Sequence, residues 1–370
     1  MNILQICYAF PPSFSGYGKQ LNTVNCDLLS KHPIINIDVI TAYKAKKKLK
    51  NNYNIHSFYD YSRLSVKNEK YFFYIYALFN FLKFFKLYFK ADVIHVVKAG
   101  PECIIPVVFS KIFNKKVIIK VAQDEMKKAN KSSFFRKIRI GCVKKANKII
   151  AISSEIEDDL IFWGVDKSSI VKVANSVLFK EHEYKDLHSQ NGMFKLTFVG
   201  AICKRKGIQE LLDCLLSFDT ENIMLHVVLA GPDYGEILDL NGQLNTINKS
   251  NQNVSIEYLG KITNVDQILA SSDGLILPSY SEGMPNVVLE AFSLGKPVLA
   301  SNIKVHEDMI NKKNGLIFRL AEEADLKEKL NLFINSKFCR EEIINDSKRL
   351  YSVQNISDKY YNLYSKIIIE

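Results

Sequence analysis

The sequence predicts an α/β protein built from two doubly wound parallel sheets, and two observations lead to this prediction. Short β-branched runs that are apolar along their whole length alternate with helix-length segments, which is the pattern of strands covered by helices on both faces. The chain has 370 residues with 47% hydrophobic content. Because single hydrophobic cores usually stop growing below this size, we expect two domains.

Ten segments have the composition of buried strands, and they fall into two sets of five. The first set comprises NILQICYAF, IDVIT, DVIHVV, KVIIKVA and KIIAIS, and the second comprises KLTFVGA, MLHVVLAG, VSIEYLG, GLILPSY and KPVLAS. Between the sets, the polar segment 181–193 lacks apolar periodicity and is the predicted linker. The N-terminal domain then covers residues 1–180 and the C-terminal domain residues 194–352. Ligands of such sheets bind at the carboxyl ends of the strands.

Cysteine usage and the amino terminus both indicate a cytoplasmic protein. The seven cysteines are scattered, odd in number and without a Cys-x-x-Cys pair, which argues against a disulfide framework and against a zinc site. The opening MNILQICYAFPP has no basic region before its apolar residues and soon reaches two prolines. It is therefore predicted to be a first strand rather than a signal peptide.

Positive charge is concentrated in the first half of the chain. Residues 1–185 hold 31 Lys and Arg against 15 Asp and Glu, a net +16, whereas the remainder holds 19 against 24, a net −5. This asymmetry suggests an anionic surface facing the first half, either nucleic acid or acidic lipid. We expect no nucleic acid partner, because the basic run KAKKKLK belongs to no recognisable recognition module and is equally typical of an exposed loop.

The segment Glu69–Asp92, EKYFFYIYALFNFLKFFKLYFKAD, is unusually rich in aromatic residues. Its apolar run is shorter than the ~20 residues that a membrane-spanning helix needs. Lys83, Lys86 and Lys90 share one helical face among aromatic side chains, so the segment is compatible with an amphipathic helix at an anionic membrane surface. The alternative is a helix packed on the sheet before DVIHVV, and the two interpretations are compatible.

The segment SEGMPNVVLEAFSLGKP carries two glutamates eight positions apart, Glu282 and Glu290. A helix is predicted to begin at Pro285, since proline suits the first helical position. The backbone N–H groups of Asn286, Val287 and Val288 would then form a phosphate site at the helix terminus. Glu290 lies in an apolar run and would be drawn into the core, where an unpaired charge is unfavourable by several kcal/mol. Vicinal hydroxyls of a nucleotide ribose would satisfy it.

This pattern, within PSYSEGMPNVVLEAFSLGKPVLAS, resembles the signature of the retaining glycosyltransferases of family four, which have the GT-B fold. The resemblance extends to PPSFSGYGKQLNTVNCDLL, LTFVGAICKRKGIQELLDCL and YSVQNISDKYYNLYSKII. It implies two Rossmann-like domains facing each other across a cleft, with residues 353–370 returning to the first domain as a helix. It also implies transfer of a sugar, with retention, from a nucleotide-diphosphate-sugar donor to an acceptor hydroxyl.

The same resemblance implies roles for individual residues. Lys206 matches the family lysine at the donor diphosphate, and Arg205 is the candidate second cation because Ala201 stands where the family usually has arginine. Glu282 is expected at the transferred sugar. His95 matches the first histidine of a frequent His-x-His pair, although a core histidine is the alternative. The expected donor-binding residues are Gly16, Gly283, Met284, Pro285, Asn286, Val287 and Glu290.

No metal and no other cofactor is expected, because the two cations and the helix terminus together can stabilise the leaving diphosphate. The basic, aromatic-rich first domain suggests a saccharide acceptor carried on lipid at the inner face of the cell membrane, as in bacterial surface polysaccharide assembly. Peripheral attachment to that membrane would follow. Two alternatives stay open: a sugar-nucleotide epimerase of the same fold, and a non-catalytic descendant that only binds the nucleotide sugar.

Overall fold

The chain forms two compact units in a computed structural model. Unit 1 comprises Met1–Ser176 together with Val353–Glu370, and unit 2 comprises Val177–Ser352. The structure describes residues 1–11, 16–42, 48–50, 52–58, 69–122, 134–179, 192–219 and 223–370. Most of the predicted linker, up to residue 191, and residues 44–47 of the basic run lie outside the described residues.

Unit 1 contains an eight-stranded sheet. Its strands are β1 (Asn2–Ile6), β2 (Asn36–Thr41), β3 (Lys48–Lys50), β4 (Tyr53–Ser57), β5 (Val93–Val96), β6 (Lys116–Val121), β7 (Lys148–Ala151) and β8 (Ile170–Lys172). The spatial order is β3-β4-β2-β1-β5-β6-β7-β8, and every pair is parallel except β3 with β4. Its helices are α1 (Gly16–Lys31), α2 (Glu69–Lys83), α3 (Phe85–Lys90), α4 (Ile104–Phe113), α5 (Phe134–Lys145), α6 (Ser154–Phe162) and, from the end of the chain, α14 (Val353–Ile369).

Unit 2 contains a six-stranded, wholly parallel sheet. Its strands are β9 (Met193–Val199), β10 (Met224–Ala230), β11 (Val254–Tyr258), β12 (Gly274–Leu277), β13 (Val298–Ser301) and β14 (Gly315–Phe318), in the order β11-β10-β9-β12-β13-β14. Its helices are α7 (Ile208–Leu216), α8 (Leu240–Ser250), α9 (Val265–Ala270), α10 (Asn286–Ser293), α11 (Lys304–Met309), α12 (Glu323–Asn335) and α13 (Arg340–Tyr351).

Consecutive residues of the central strands are buried, which confirms that both faces of each sheet are covered. All four residues of β5, β12 and β13 are buried, so side chains on both faces contribute to the core. Burial of each large apolar side chain contributes about 1.5–3 kcal/mol. The predicted fold class, two doubly wound α/β domains, is therefore confirmed.

Helix α14 completes the core of unit 1 against α1 and β5. Its side chains Ile356, Tyr360 and Tyr364 are buried among residues of β1, β2 and α1. At the surface, the Nζ atom of Lys31 donates to Asp358 Oδ1 at 2.7 Å. The last helix of the chain is thus an integral layer of the first unit.

All ten predicted strands occur, and the described residues contain four further strands that were not predicted. The unpredicted strands are β3, β4, β8 and β14, which have three to five residues each. The aromatic segment forms two helices rather than one, because α2 ends at Lys83 and α3 begins at Phe85. Over the described residues, none of the helices combines the length and the apolar character needed to cross a bilayer.

Candidate functional site

The order of strands in unit 2 brings two loops together at the carboxyl edge of the sheet. Strand β9 lies between β10 and β12, so the chain leaves β9 towards one side of the sheet and reaches β12 on the other. Such a switch point is where open α/β sheets bind their ligands. The loop after β9 carries Arg205 and Lys206, and the loop after β12 carries Glu282.

The two loops are held together by backbone contacts at a glycine. The 3₁₀ turn Lys204–Lys206 ends at Gly207, whose φ of 66° lies in the left-handed region. A Cβ atom at Gly207 would lie 1.7 Å from the carbonyl oxygen of Pro278, which only glycine avoids. In addition, the backbone N–H of Tyr280 donates to the Arg205 carbonyl at 2.9 Å. The KRKG turn is therefore fixed against the end of β12.

This arrangement joins Lys206 and Glu282 in an ion pair. Lys206 Nζ donates to Glu282 Oε1, and Ser279 Oγ donates to the same oxygen at 2.7 Å. The Lys206 and Glu282 side chains are 12% and 10% exposed, so the pair is mostly shielded from water. Arg205 is more exposed: its Nη1 atom lies 3.8 Å from Glu282 Oε2 and donates to the Ser281 carbonyl at 2.7 Å. Two cations thus share one carboxylate, an arrangement suited to an anionic ligand.

Helix α10 begins at Asn286, one residue later than predicted, with Pro285 as its N-cap residue. The backbone N–H of Val288 donates to the Pro285 carbonyl at 3.2 Å. The predicted phosphate site therefore loses one of its three N–H groups. The prediction that Pro285 is the first helical residue was wrong. Pro285 lies just before the helix instead, and its carbonyl accepts a hydrogen bond from the first turn. The terminus still follows directly on Glu282, Gly283 and Met284.

Glu290 is half-buried on α10, and the expectation that it lies in the core was wrong. Its neighbours Leu289 and Ala291 are buried, but Glu290 itself points to the partly exposed side of the helix, as Asn286 and Val287 do. An eight-residue helix with apolar residues on most positions still has one face outside the core. Its assignment to the donor ribose stays a prediction.

His306 on α11 lies behind the ion pair and was missed by the sequence analysis. Its ring is fully buried, and Nδ1 lies 2.9 Å from the Ser301 carbonyl, so Nδ1–H is the donor. Ser301 Oγ in turn donates to the Ser279 carbonyl at 2.5 Å. Burial lowers the pKa of His306 to about 4, with Lys206 in the same direction and Glu282 opposing. A neutral imidazole thus supports the loop that presents Glu282.

The two sequence-predicted residues of unit 1 occupy different environments. Gly16 begins α1 and is exposed. His95 is fully buried in β5, and its Nδ1 lies 2.8 Å from the Tyr364 hydroxyl of α14. Burial, with a smaller effect of Lys120, lowers the pKa of His95 to about 3. These contacts favour the core interpretation of His95 over a catalytic one.

Unit 1 also has a small pocket at the carboxyl edge of its sheet, which the sequence analysis did not predict. Lys120, only 5% exposed at the end of β6, contributes its ammonium group. Lys120 Nζ donates to Asn175 Oδ1 at 3.3 Å and lies 5.9 Å from the centre of the Tyr360 ring. The available signal was a lysine inside the apolar strand KVIIKVA. The hydrogen bond to Asn175 provides this buried cation with the polar partner that burial of a charge requires.

Within the described ranges, His, Cys, Asp and Glu side chains form no group of three or more that could hold a metal ion. All seven cysteines are free thiols. Metal-independent chemistry stays a prediction.

The class of the fold is GT-B, the two-domain architecture of many glycosyltransferases. The structure matches the crystal structure of Anabaena HepE in complex with UDP and glucose, with a TM-score of 0.75 and 16% identity over 99% of this chain and 100% of that chain. Residues 179–350, nearly all of unit 2, match the family described as glycosyl transferases group 1. The resemblance found in the sequence is thereby confirmed: residues 179–350 match this family, and the chain has the GT-B fold.

Two curated relatives are bacterial glycosyltransferases. The capsular polysaccharide biosynthesis glycosyltransferase CapM of Staphylococcus aureus is 25% identical over 61% of this chain and 63% of its own length. The UDP-Gal:alpha-D-GlcNAc-diphosphoundecaprenol alpha-1,3-galactosyltransferase of Escherichia coli is 28% identical over 61% of this chain and 60% of its own length. The similarity thus spans less than two thirds of either relative.

Proposed function

We propose that this protein transfers a sugar from a nucleotide-diphosphate-sugar donor to an acceptor hydroxyl, with retention at the anomeric carbon. The observation that carries the proposal is the cluster of Lys206, Arg205 and Glu282 beside the start of α10 at the switch point of unit 2. A leaving diphosphate gains negative charge in the transition state, and fixed cations aimed at it are the expected stabilisers. The donor would lie on unit 2, with its ribose at Glu290.

In the proposed reaction, the acceptor oxygen forms a bond to the anomeric carbon on the face from which the diphosphate departs. The bond between that carbon and the phosphate oxygen breaks, and the acceptor proton passes to the departing phosphate. A diphosphate at Lys206 would compete with Glu282 for the ammonium group. Glu282 would then be released towards the sugar, which gives both partners of the ion pair a role in turnover. Lys206, Arg205 and the α10 terminus would together replace a metal ion.

The acceptor in this proposal is a saccharide linked to a lipid at the inner face of the cell membrane. The E. coli relative is named for a diphosphoundecaprenol-linked acceptor and a UDP-sugar donor, and HepE is described with UDP and glucose. The excess of positive charge in the first half of the chain supports an acceptor at an anionic surface. We accordingly propose a cytoplasmic enzyme of surface polysaccharide assembly that attaches peripherally to the membrane.

The test is a panel of UDP-sugars incubated with the purified protein, with and without a polyprenyl-diphosphate-linked saccharide, in the presence and absence of a chelator. We expect UDP release that depends on the acceptor and is unaffected by the chelator, and a product with the donor's anomeric configuration. An altered free sugar formed without acceptor would instead identify an epimerase. Binding of UDP-sugars without turnover of any of them would identify a non-catalytic descendant.

A further inference from the structure

Helices α2, α3 and α4 of unit 1 present large apolar side chains to solvent on one continuous surface, which we call the apolar face. It is formed by Phe79, Leu82, Phe85, Phe89, Ile112 and Phe113. Leu82 and Ile112 are 65% and 68% exposed. Single exposed apolar residues are common, but a contiguous group marks an interaction surface.

Ring contacts join the three helices into this one surface. The Phe85 and Phe89 ring centres are 4.6 Å apart, and those of Phe89 and Phe113 are 4.7 Å apart. Phe79 and Leu82 lie one helical turn apart on α2. The apolar face therefore extends from α2 over α3 to α4, and across the break after Lys83 the Phe81 and Phe85 ring centres are 5.3 Å apart.

The opposite side of the same helices already holds them in the fold. Tyr76 and Tyr88 are fully buried, the Tyr76 hydroxyl donates to the Ile40 carbonyl at 3.0 Å, and the Tyr88 hydroxyl donates to Asn80 Oδ1 at 2.6 Å. The packed-helix interpretation of the aromatic segment is therefore met on one side, and the other side is exposed, so association with a membrane surface stays a prediction. The apolar face is not needed to attach the helices.

Lysines border the apolar face, and the sequence segment that forms it is poor in acidic residues. Residues 75–116 contain seven lysines but only two acidic residues, and one of these, Glu102, is buried. Lys86, Lys90 and Lys111 are exposed beside the aromatic side chains. Lys83 is directed away, since its Nζ donates to the carbonyls of Ser57 and Phe58. The surface thus combines exposed aromatic residues with exposed lysines, of which Lys90 is near enough to Asp38 to help lower the pKa of that carboxyl.

We propose that the apolar face docks on an anionic lipid bilayer. Its aromatic and aliphatic side chains would enter the boundary between headgroups and acyl chains, while Lys86, Lys90 and Lys111 contact the anionic headgroups. The basic border favours this occupant over a second copy of the chain, because two identical basic faces would repel each other. This docking would bring the enzyme to a lipid-linked acceptor, and that consequence rests on the proposed function. Binding of the apolar face to lipid does not depend on it.

The test is flotation of the full chain with vesicles of phosphatidylglycerol and phosphatidylcholine, or of phosphatidylcholine alone, at low and high salt. We expect binding to the anionic vesicles that weakens with salt. The triple variant Lys86→Gln, Lys90→Gln, Lys111→Gln should bind up to about a hundredfold more weakly, from about 1 kcal/mol for each lysine near the surface. Its residual binding should depend little on salt.

A second variant, Leu82→Ser with Ile112→Ser, removes apolar area without touching charge, and it should bind anionic vesicles at least about tenfold more weakly. The matched control is Phe162→Ser with Leu238→Ser, which replaces side chains that are 83% and 86% exposed elsewhere. This control should bind like the wild type. All four positions are solvent-exposed, so the variants should fold, which circular dichroism would verify.

The proposal fails if the wild type does not bind anionic vesicles at low salt, or if the control loses binding as much as the apolar variant does. It also fails if light scattering shows a dimer that the Leu82 and Ile112 changes dissociate, since the face would then be a contact between copies. Vesicle binding is measured without any donor, so it tests the apolar face even if no glycosyl transfer is found. Conversely, transfer to a soluble acceptor without vesicle binding would leave the proposed function intact and reject this surface.

Discussion

Lys206 and Glu282 depend on each other, because each is the ion-pair partner of the other in a poorly hydrated environment. Replacing Lys206 by alanine should lower kcat by about 10² to 10³, as the loss of one transition-state stabiliser typically does. Lys204→Ala is the matched control, since Lys204 lies in the same turn but is exposed. Steady-state turnover of both variants is the measurement. If the Lys206→Ala enzyme is as active as the Lys204→Ala enzyme, the donor diphosphate does not bind at this site.

Substitutions of Glu290 and of Glu282 should have different effects, because only Glu290 is assigned to the nucleotide. Glu290→Gln should lower the affinity for the nucleoside diphosphate about 10- to 100-fold, from about 1.5–3 kcal/mol of lost charge-assisted hydrogen bonding. Glu282→Gln should mainly lower kcat, because its contact with the sugar is absent when the bare diphosphate binds.

Calorimetric titration with UDP, beside turnover of the intact donor, separates the two roles. Glu341→Gln, an exposed glutamate of α13, controls for the loss of one negative charge. If Glu290→Gln and Glu341→Gln bind UDP equally well, the ribose assignment is wrong.

Single residues of the site could be named from the sequence, but their pairing could not. Lys206 and Glu282 are 76 positions apart, and only the adjacency of β9 and β12 brings them into contact. His306 was missed because a lone histidine after a strand carries no pattern. Glu290 was misplaced because the composition of a short helix does not say which side of it faces the core.

At the scale of elements, the turn at Gly207 holds the loop after β9 against the loop after β12. Gly207→Ala should lower the free energy of unfolding by more than about 2 kcal/mol. The unfavourable energy of the left-handed conformation and that of the clash with Pro278 are both present at this position. Gly235 is the matched control: its φ is 68°, and a Cβ atom there would meet nothing within 4 Å. Gly235→Ala should therefore lose only about 1 kcal/mol.

Urea denaturation of both variants measures the two changes in the free energy of unfolding. Equal decreases would show that the backbone near Pro278 moves away from the new Cβ atom without an energetic penalty. Because Gly207 follows directly on Lys206, we also expect the affinity for UDP to fall in Gly207→Ala but not in Gly235→Ala.

The predicted strands that proved correct are the ones whose burial follows from their own composition. Three of the four unpredicted strands, β3, β8 and β14, lie at sheet edges. An edge strand pairs on one side only and can be short, so its few residues show no clear pattern. The break between α2 and α3 could not be predicted either, because no proline or glycine follows Phe84.

At the scale of the whole molecule, the described residues include a fully buried, neutral histidine in each unit, His95 in unit 1 and His306 in unit 2. Their pKa values of about 3 and about 4 lie below the ordinary histidine value. As the pH falls below about 6.5, the unfolded chain takes up protons that the folded chain does not, so stability falls.

Between pH 7 and pH 5 each buried histidine should lower the free energy of unfolding by about 2 kcal/mol. The measurement is urea unfolding at both pH values for the wild type, His95→Asn and His306→Asn, since asparagine can replace the hydrogen bond of Nδ1. Each variant should lose less stability on acidification than the wild type. An unchanged pH dependence in both variants would mean that neither histidine is neutral and buried in solution.

Because α14 belongs to unit 1 but is encoded after unit 2, the order of synthesis differs from the order of completion. A ribosome releases all eight strands of the first sheet before it makes the second, yet Ile356, Tyr360 and Tyr364 arrive only with the last helix. Until then the nascent first unit has its α1 side uncovered and His95 without its hydroxyl partner. Unit 2, continuous from Val177 to Ser352, has all its residues earlier. The final 17-residue helix therefore closes the unit that was begun first.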